Sequence, residues 1–340
     1  MTDTRRIHDV LDGPRGRRLC LSVVATAHPE LWTIAAARSG ERMPELIRGV
    51  AEAEVAIDAA VLLDALEDST STAMYWQPAD ETDVLLRDAD LVAALEHVAR
   101  RIVESGDSDW WWSPIALDEQ QFVQWIDEFG MQPPTLIGAA ERLADWKSRA
   151  LATEVRAAEL PTDVATPFSG IWWSIPAFTD IATTTRELPG LGATKLRLVE
   201  DGFDWNEANL APLRPRTTPR VYEITGPEAW AALVGRYARD VTLSRRHDWW
   251  NVTGKDARWV LPDWQAVATD LDAVHLTVGG YLATAGRALP VGDAFTMLAG
   301  WNPDETYWFT DILEPAGPAV RWSRDAATGS TSWHEVGVVG

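Results

Sequence analysis

The residues with the most chemistry to offer lie in the last third of the chain. Arg245, Arg246 and His247 stand together in Ser244-Arg245-Arg246-His247-Asp248-Trp249-Trp250, a basic and aromatic run in a protein of formal net charge -21. Adjacent guanidiniums repel each other unless acids or an anionic ligand answer them, and arginine suits bidentate contact with carboxylate or phosphate. Trp249 adds a flat apolar face beside them. The run is read as a loop that holds an anionic substrate; the plainer reading has Asp240 and Asp248 neutralising the pair. A second candidate is His275, in the apolar pattern Ala273-Val274-His275-Leu276-Thr277-Val278, followed by Gly279-Gly280 and later by Arg287. Glycines let a ligand approach the backbone closely. Its plain alternative is a hydrogen-bonded core histidine.

Other familiar arrangements are missing. Gly190-Leu191-Gly192-Ala193-Thr194-Lys195 lacks the Gly-Lys-Ser ending of a phosphate loop, and reads as a turn. There is no Gly-x-Ser-x-Gly elbow and no His-Glu-x-x-His pair. Asp270, Asp272 and His275 resemble a metal set only superficially, because on a strand His275 faces away from an even-numbered partner. No metal is expected. The single cysteine, Cys20, lies in the apolar run Leu19–Val24 and reads as a structural thiol on a buried strand.

The elements that must position these residues divide into two parts. Residues 1–18 are polar and read as a flexible N-terminus without a secretory signal. Residues 19–160 read as a mostly helical domain: helices over 45–66 (broken by Asp68-Ser69-Thr70-Ser71), 91–103, 118–129 and 135–160, with Gly130 and Pro133-Pro134 stopping the third. Residues 161–219 read as strands and turns, with strand-like runs at 170–174, 181–185 and 196–199 and an exposed connector over 210–219. Residues 220–311 form the α+β candidate active domain. A strand over 220–224 leads to a helix over 227–237, with Thr225 and Glu228 as its capping box; a helix over 262–269 and strands over 273–278 and 305–310 follow. Residues 312–340 read as a C-terminal extension. The fold class is therefore α+β: a helical N-terminal part joined to a Trp-rich, mixed C-terminal part.

The segment from Arg220 to Asp311 resembles a recurring domain of uncharacterised proteins from high-GC bacteria. The likeness rests on Val221-Tyr222-Glu223-Ile224, Trp230, the run 246–249, Pro262-Asp263-Trp264, residues 272–277 and the stretch from Trp301 to Trp308. Its strand histidine, the following Gly-Gly-Tyr and a later Glu also resemble the His-Tyr-Glu variety of ADP-ribosyltransferase-like folds. That resemblance implies His275 holding a nicotinamide ribose, Tyr281 stacking on the nicotinamide, and Glu305 steadying an oxocarbenium-like transition state. The chain departs from the pattern in spacing: His275, Tyr281 and Glu305 lie close together in sequence.

Composition bounds the function classes. A chain of 340 residues that is 46% hydrophobic can bury a large core. No apolar run is long enough to span a membrane. The charge of -21 repels phosphate backbones, so nucleic-acid binding through a broad basic face is not expected, while basic partners are attracted. One cysteine and no signal fit a cytoplasmic location. The 19 Trp against 5 Tyr and 7 Phe are the compositional outlier. Runs such as Trp110-Trp111-Trp112 and Trp172-Trp173 cannot all point inward from a strand. Stacking on a flat ligand is their functional reading, and packing between elements their plain one. Two functions are thus expected: an enzyme binding a flat, anionic small molecule such as NAD, with glycosyl transfer or cleavage as its reaction, or a non-enzymatic acidic binding or immunity-type protein for a basic partner.

Overall fold

The computed structural model describes residues 3–36, 42–126, 136–177, 181–203, 205–324 and 332–339. Seven helices come first: α1 (Asp3–Asp12), α2 (Pro14–Ala27), α3 (Pro29–Ala36), α4 (Met43–Glu52), α5 (Ala59–Ser71), α6 (Glu81–Leu85) and α7 (Ala89–Val103). A 3-10 turn over Gly106–Trp112, β1 (Gln120–Trp125), α8 (Ala139–Ala157), β2 (Thr183–Leu188), β3 (Gly192–Ala193) and β4 (Glu207–Pro215) follow. Next come β5 (Val221–Ile224), α9 (Pro227–Arg236), β6 (Ala238–Asp240), α10 (Thr242–Thr253), β7 (Val260–Pro262) and α11 (Trp264–Asp270). The chain ends with β8 (Ala273–Leu276), α12 (Val278–Thr284), β9 (Leu289–Val291), β10 (Ala294–Thr296), β11 (Glu305–Trp308), β12 (Leu313–Pro315), β13 (Val320–Arg324) and β14 (Trp333–Val338). The protein is α+β, helical at the start and strand-rich toward the end.

Aspartates start the N-terminal helices. Asp58, Asp80 and Asp88 each accept a first-turn N–H, those of Val61, Asp83 and Leu91 respectively. Within the polar start of the chain, Asp3–Asp12 forms the helix α1. Apolar Ile7, Val10 and Leu11 bury one stripe of α1, and Pro14 opens α2. Leu19–Val24 is helical rather than extended. The run is buried on every side because α2 packs between α1, α3, α5 and α7, and a helix enclosed all round loses the polar stripe that would mark it in sequence. The 45–66 stretch is two helices: Ala53–Asp58 is the break, and α5 continues through Asp68–Ser71.

One mixed sheet runs in the order β14-β13-β4-β1-β2-β11-β8-β5, antiparallel except for the β5/β8 pair. Its strands come from residues 120 to 338, so the segment boundaries at 160, 219 and 311 do not divide it, and the last segment supplies three strands. Two expectations fail at its centre. The stretch 118–129 contains β1, not a helix, with Phe122, Val123 and Trp125 buried on both faces between β2 and β4; residues 127–135 lie outside those described. The supposed connector over 210–219 begins within β4. Pro212 is tolerated because β13 leaves the ladder opposite Leu210 and β12 joins opposite Leu213, which puts it in the gap between them. The runs 170–174 and 196–199 form no strand.

The parallel β5/β8 pair needs a long crossover. It is filled by α9, β6, α10, β7 and α11, and its core is a cluster of indoles. Trp230, Trp264 and Trp301 meet with ring centroids 5.7–6.3 Å apart, and Trp249 meets Trp259 edge-on at 5.1 Å. All five are fully buried. The capping box before α9 does not form: Gly226 precedes the helix, and Glu228 pairs with Arg5.

Candidate functional site

His275 sits on β8, between Glu223 on β5 and the turn that opens β11. Only 1% of it is exposed. Its Nδ1 lies 2.5 Å from Glu223 Oε2, and its Nε2 lies 3.4 Å from Asp304 Oδ1. Burial alone would depress its basicity; the hydrogen bonds that its ring N–H groups donate to Asp304 and Glu223 more than offset this and raise its pKa to about 9. Asp304 is itself engaged. It adopts a left-handed backbone (φ 60°), accepts the Arg186 N–H at 2.8 Å, and lies near Arg186 Nε and Thr194 Oγ1. The histidine is a charged clamp across β5, β8, β11 and β2, held between carboxylates.

The other two residues implied by the resemblance stand elsewhere. Tyr281 is fully buried (0% exposed), in α12 rather than in a cleft. Its hydroxyl interacts with Glu200 and Tyr75, although none of the Tyr281 Oη, Tyr75 Oη and Glu200 Oε1 atoms completes a full hydrogen-bond geometry. Glu305 forms an ion pair with Lys195 and accepts from Asn302 Nδ2 at 3.0 Å. The three side chains share no polar contact. Gly279 and Gly280 serve packing rather than a ligand. Thr277 caps α12 through the Gly280 N–H, and a Cβ on Gly280 would lie 2.1 Å from the Ile224 carbonyl oxygen. Arg287 lies in a different cavity, next to the end of α12.

The basic run is not a loop but the helix α10. Asp240 accepts the Thr242 N–H at its start and Gly254 (φ 67°) ends it. Helical geometry then splits the run. Trp249 is fully buried and donates from Nε1 to the Trp172 carbonyl at 2.7 Å. His247 spans the Pro161 and Val164 carbonyls, and Arg246 donates to the Leu160 carbonyl at 2.9 Å. These three fasten the 160–173 segment to the helix. The expected neutralisers are committed too: Asp240 pairs with Arg258, and Asp248 accepts the Gly170 N–H.

Arg245 is different. It occupies the first turn of α10, where the positive end of the helix dipole already disfavours a cation. It is 6% exposed, and it donates only to the Trp173 carbonyl (3.2 Å) and to Ser244 Oγ (2.7 Å). Among the described residues no carboxylate lies within ion-pairing distance. Burial, and then the Arg239 guanidinium, push its pKa down to about 9. Arg239 is likewise depressed by burial, has a buried Nε without a partner, and stacks 5.3 Å from the centre of the Trp146 ring. Both arginines line a cavity of about 450 Å³ between α8, β6, the 171–177 segment and α10, walled by Trp146 and Trp173. Glu154 is the one acid lining it, and it accepts the Ser244 hydroxyl.

Of the residues singled out in sequence, this cavity collects Arg245, Ser244 beside it in the same run, and Trp173, one of the paired indoles read as a stacking surface. Trp146 and Arg239 were missed. The available signal was modest: Arg239 precedes Arg245 by six residues, and Trp146 shares a helical stripe with Leu143 and Ala150. Among the described residues no group of three His, Cys, Asp or Glu is placed to hold a metal, and no helix is long and apolar enough to cross a membrane. No protein-family model matches the chain, and neither curated proteins nor solved structures return a significant match.

Proposed function

We propose that the protein binds a flat, anionic small molecule in the cavity between α8 and α10. Arg245 and Arg239 hold its anionic group, and Trp146 and Trp173 flank its ring. One observation carries this reading: a nearly buried guanidinium with no carboxylate within ion-pairing distance among the described residues, only partly offset by the fields of Glu154 and Asp248, facing a second guanidinium across a cavity. Lowering an arginine pKa from 12.5 to about 9 corresponds to an unfavourable term on the order of 4–5 kcal/mol at neutral pH. A bound anion offsets that term, and the α10 N-terminus adds to the attraction. The volume suits one ring system with its anionic group better than a whole dinucleotide such as NAD. Glycosyl transfer gains no support from the placement of His275, Tyr281 and Glu305, so binding is the function proposed.

Adenosine monophosphate serves as the probe. Titration followed by tryptophan fluorescence and calorimetry is expected to saturate in wild type and to fail in Arg245→Gln. Absence of any saturable signal at millimolar probe, with the protein folded, overturns the reading. The charge of -21 favours a second reading, a non-enzymatic acidic protein that binds a basic partner. Association of that kind weakens steeply with salt and is indifferent to Arg245→Gln.

A further inference from the structure

A second cavity, of about 340 Å³, lies where α1 and α2 meet the ends of α5, α10 and α12. Four arginines line it: Arg15 is ion-paired with Asp83, and the other three are each tied to the C-terminal end of a different helix. Arg17 donates to the Leu11 and Asp12 carbonyls of α1 at 2.8 and 2.9 Å. Arg87 reaches the Val252 carbonyl of α10 at 3.4 Å, and Arg287 the Ala283 carbonyl of α12 at 2.7 Å. These contacts satisfy last-turn carbonyls, which is a sufficient structural reason for an arginine at each place. They use only part of each guanidinium, which carries five N–H donors.

The acids around the cavity are unequally committed. Asp83 is held by Arg15 and Arg18; Asp80 pairs with Arg18 at 2.8 Å and caps α6. Asp12 is different: its side chain is 65% exposed and approaches only Arg287, at 3.9 Å. Arg17 and Arg87 have no carboxylate within ion-pairing distance among the described residues. Two buried guanidinium nitrogens of the lining, Arg15 Nε and Arg17 Nε, lack partners, while Tyr75, 4% exposed, lines the cavity and turns its hydroxyl toward Tyr281.

Net charge decides what fits. The carboxylates of Asp12, Asp80 and Asp83, with three helix C-termini of roughly half a negative charge each, together cancel most of the field of the four guanidiniums. A bare anion therefore gains less here than in the Arg245 cavity. A ligand carrying both signs gains at both ends: a carboxylate on Arg17 and Arg87, and an ammonium on Asp12 and the nearby carbonyls. Met74, Val252 and Ala288 supply an apolar wall for a side chain. We propose that this cavity binds a free α-amino acid.

The test is a thermal-shift survey of the protein with single free amino acids at millimolar concentration, followed by calorimetry on the best one. At least one is expected to raise the melting temperature. Its N-acetyl derivative, which lacks the cation, and its methyl ester, which lacks the anion, are each expected to bind about tenfold more weakly or worse. Arg87→Gln and Asp12→Asn are expected to weaken binding similarly while melting cooperatively without ligand. No stabilisation by any amino acid overturns the proposal, as does an N-acetyl or ester derivative that binds as well as its parent. Arg245→Gln leaves this binding intact, so the outcome is separable from that of the adenosine monophosphate titration.

Discussion

Replacing His275 by Gln tests the electrostatic account of the sheet centre. In the wild type the imidazolium lies between Glu223 and Asp304, and its pKa is raised from 6.5 to about 9. A base held more strongly protonated in the folded state stabilises the fold fully below its unfolded pKa and loses that contribution as pH rises through the folded one. The window is therefore 6.5 to about 9, and the contribution lost across it is about 3 kcal/mol. The substitution also removes the cation shared by Glu223 and Asp304 and leaves only Arg186 beside Asp304, so it costs roughly 3–5 kcal/mol where the histidine is charged. The assay is urea unfolding of both proteins across the pH range. The gap between them is expected to be largest near pH 6 and to shrink by about 3 kcal/mol above pH 9. A gap that stays constant across that range refutes the reasoning, because the histidine would then be neutral or its charge unimportant.

Two further substitutions probe the frame. Burial raises the Glu200 carboxyl to about 8, against partial relief from Tyr281 and the Gly300 N–H; its stabilising proton is lost between 4.5 and about 8 as pH rises. Glu200→Gln is expected to match wild type near pH 4 and to exceed it by about 4–5 kcal/mol above pH 8, measured by the same unfolding series. A Cβ on Gly13 would lie 1.8 Å from the Leu282 carbonyl oxygen, so Gly13→Ala should force α2 away from α12 and cost about 2–3 kcal/mol in thermal unfolding.

The sequence periodicities located the helices whose polar face meets solvent, such as α7 and α8, and the strands β5, β8 and β11. They failed where an element is enclosed. The run Leu19–Val24 in α2 and the residues of β1 are buried on all sides, so neither carries the alternation that separates a helix from a strand. The site was less legible still. Arg245 stood out because its charge is out of place in an acidic chain, but its neighbours Trp146, Trp173 and Arg239 arrive from three other elements. Local spacing cannot report such a convergence. Trp249 and His247 misled because one helical turn points them at the 160–173 segment instead of the cavity.

The central claim is that Arg245 is kept at the cost of stability in order to hold an anion. Thermal unfolding of wild type and Arg245→Gln, each with and without adenosine monophosphate, tests it most directly. The account predicts that the variant is at least as stable as wild type without the probe, and that only wild type gains stability when it is added. A variant that melts well below wild type without the probe, or that is stabilised by it as much as wild type is, contradicts the claim.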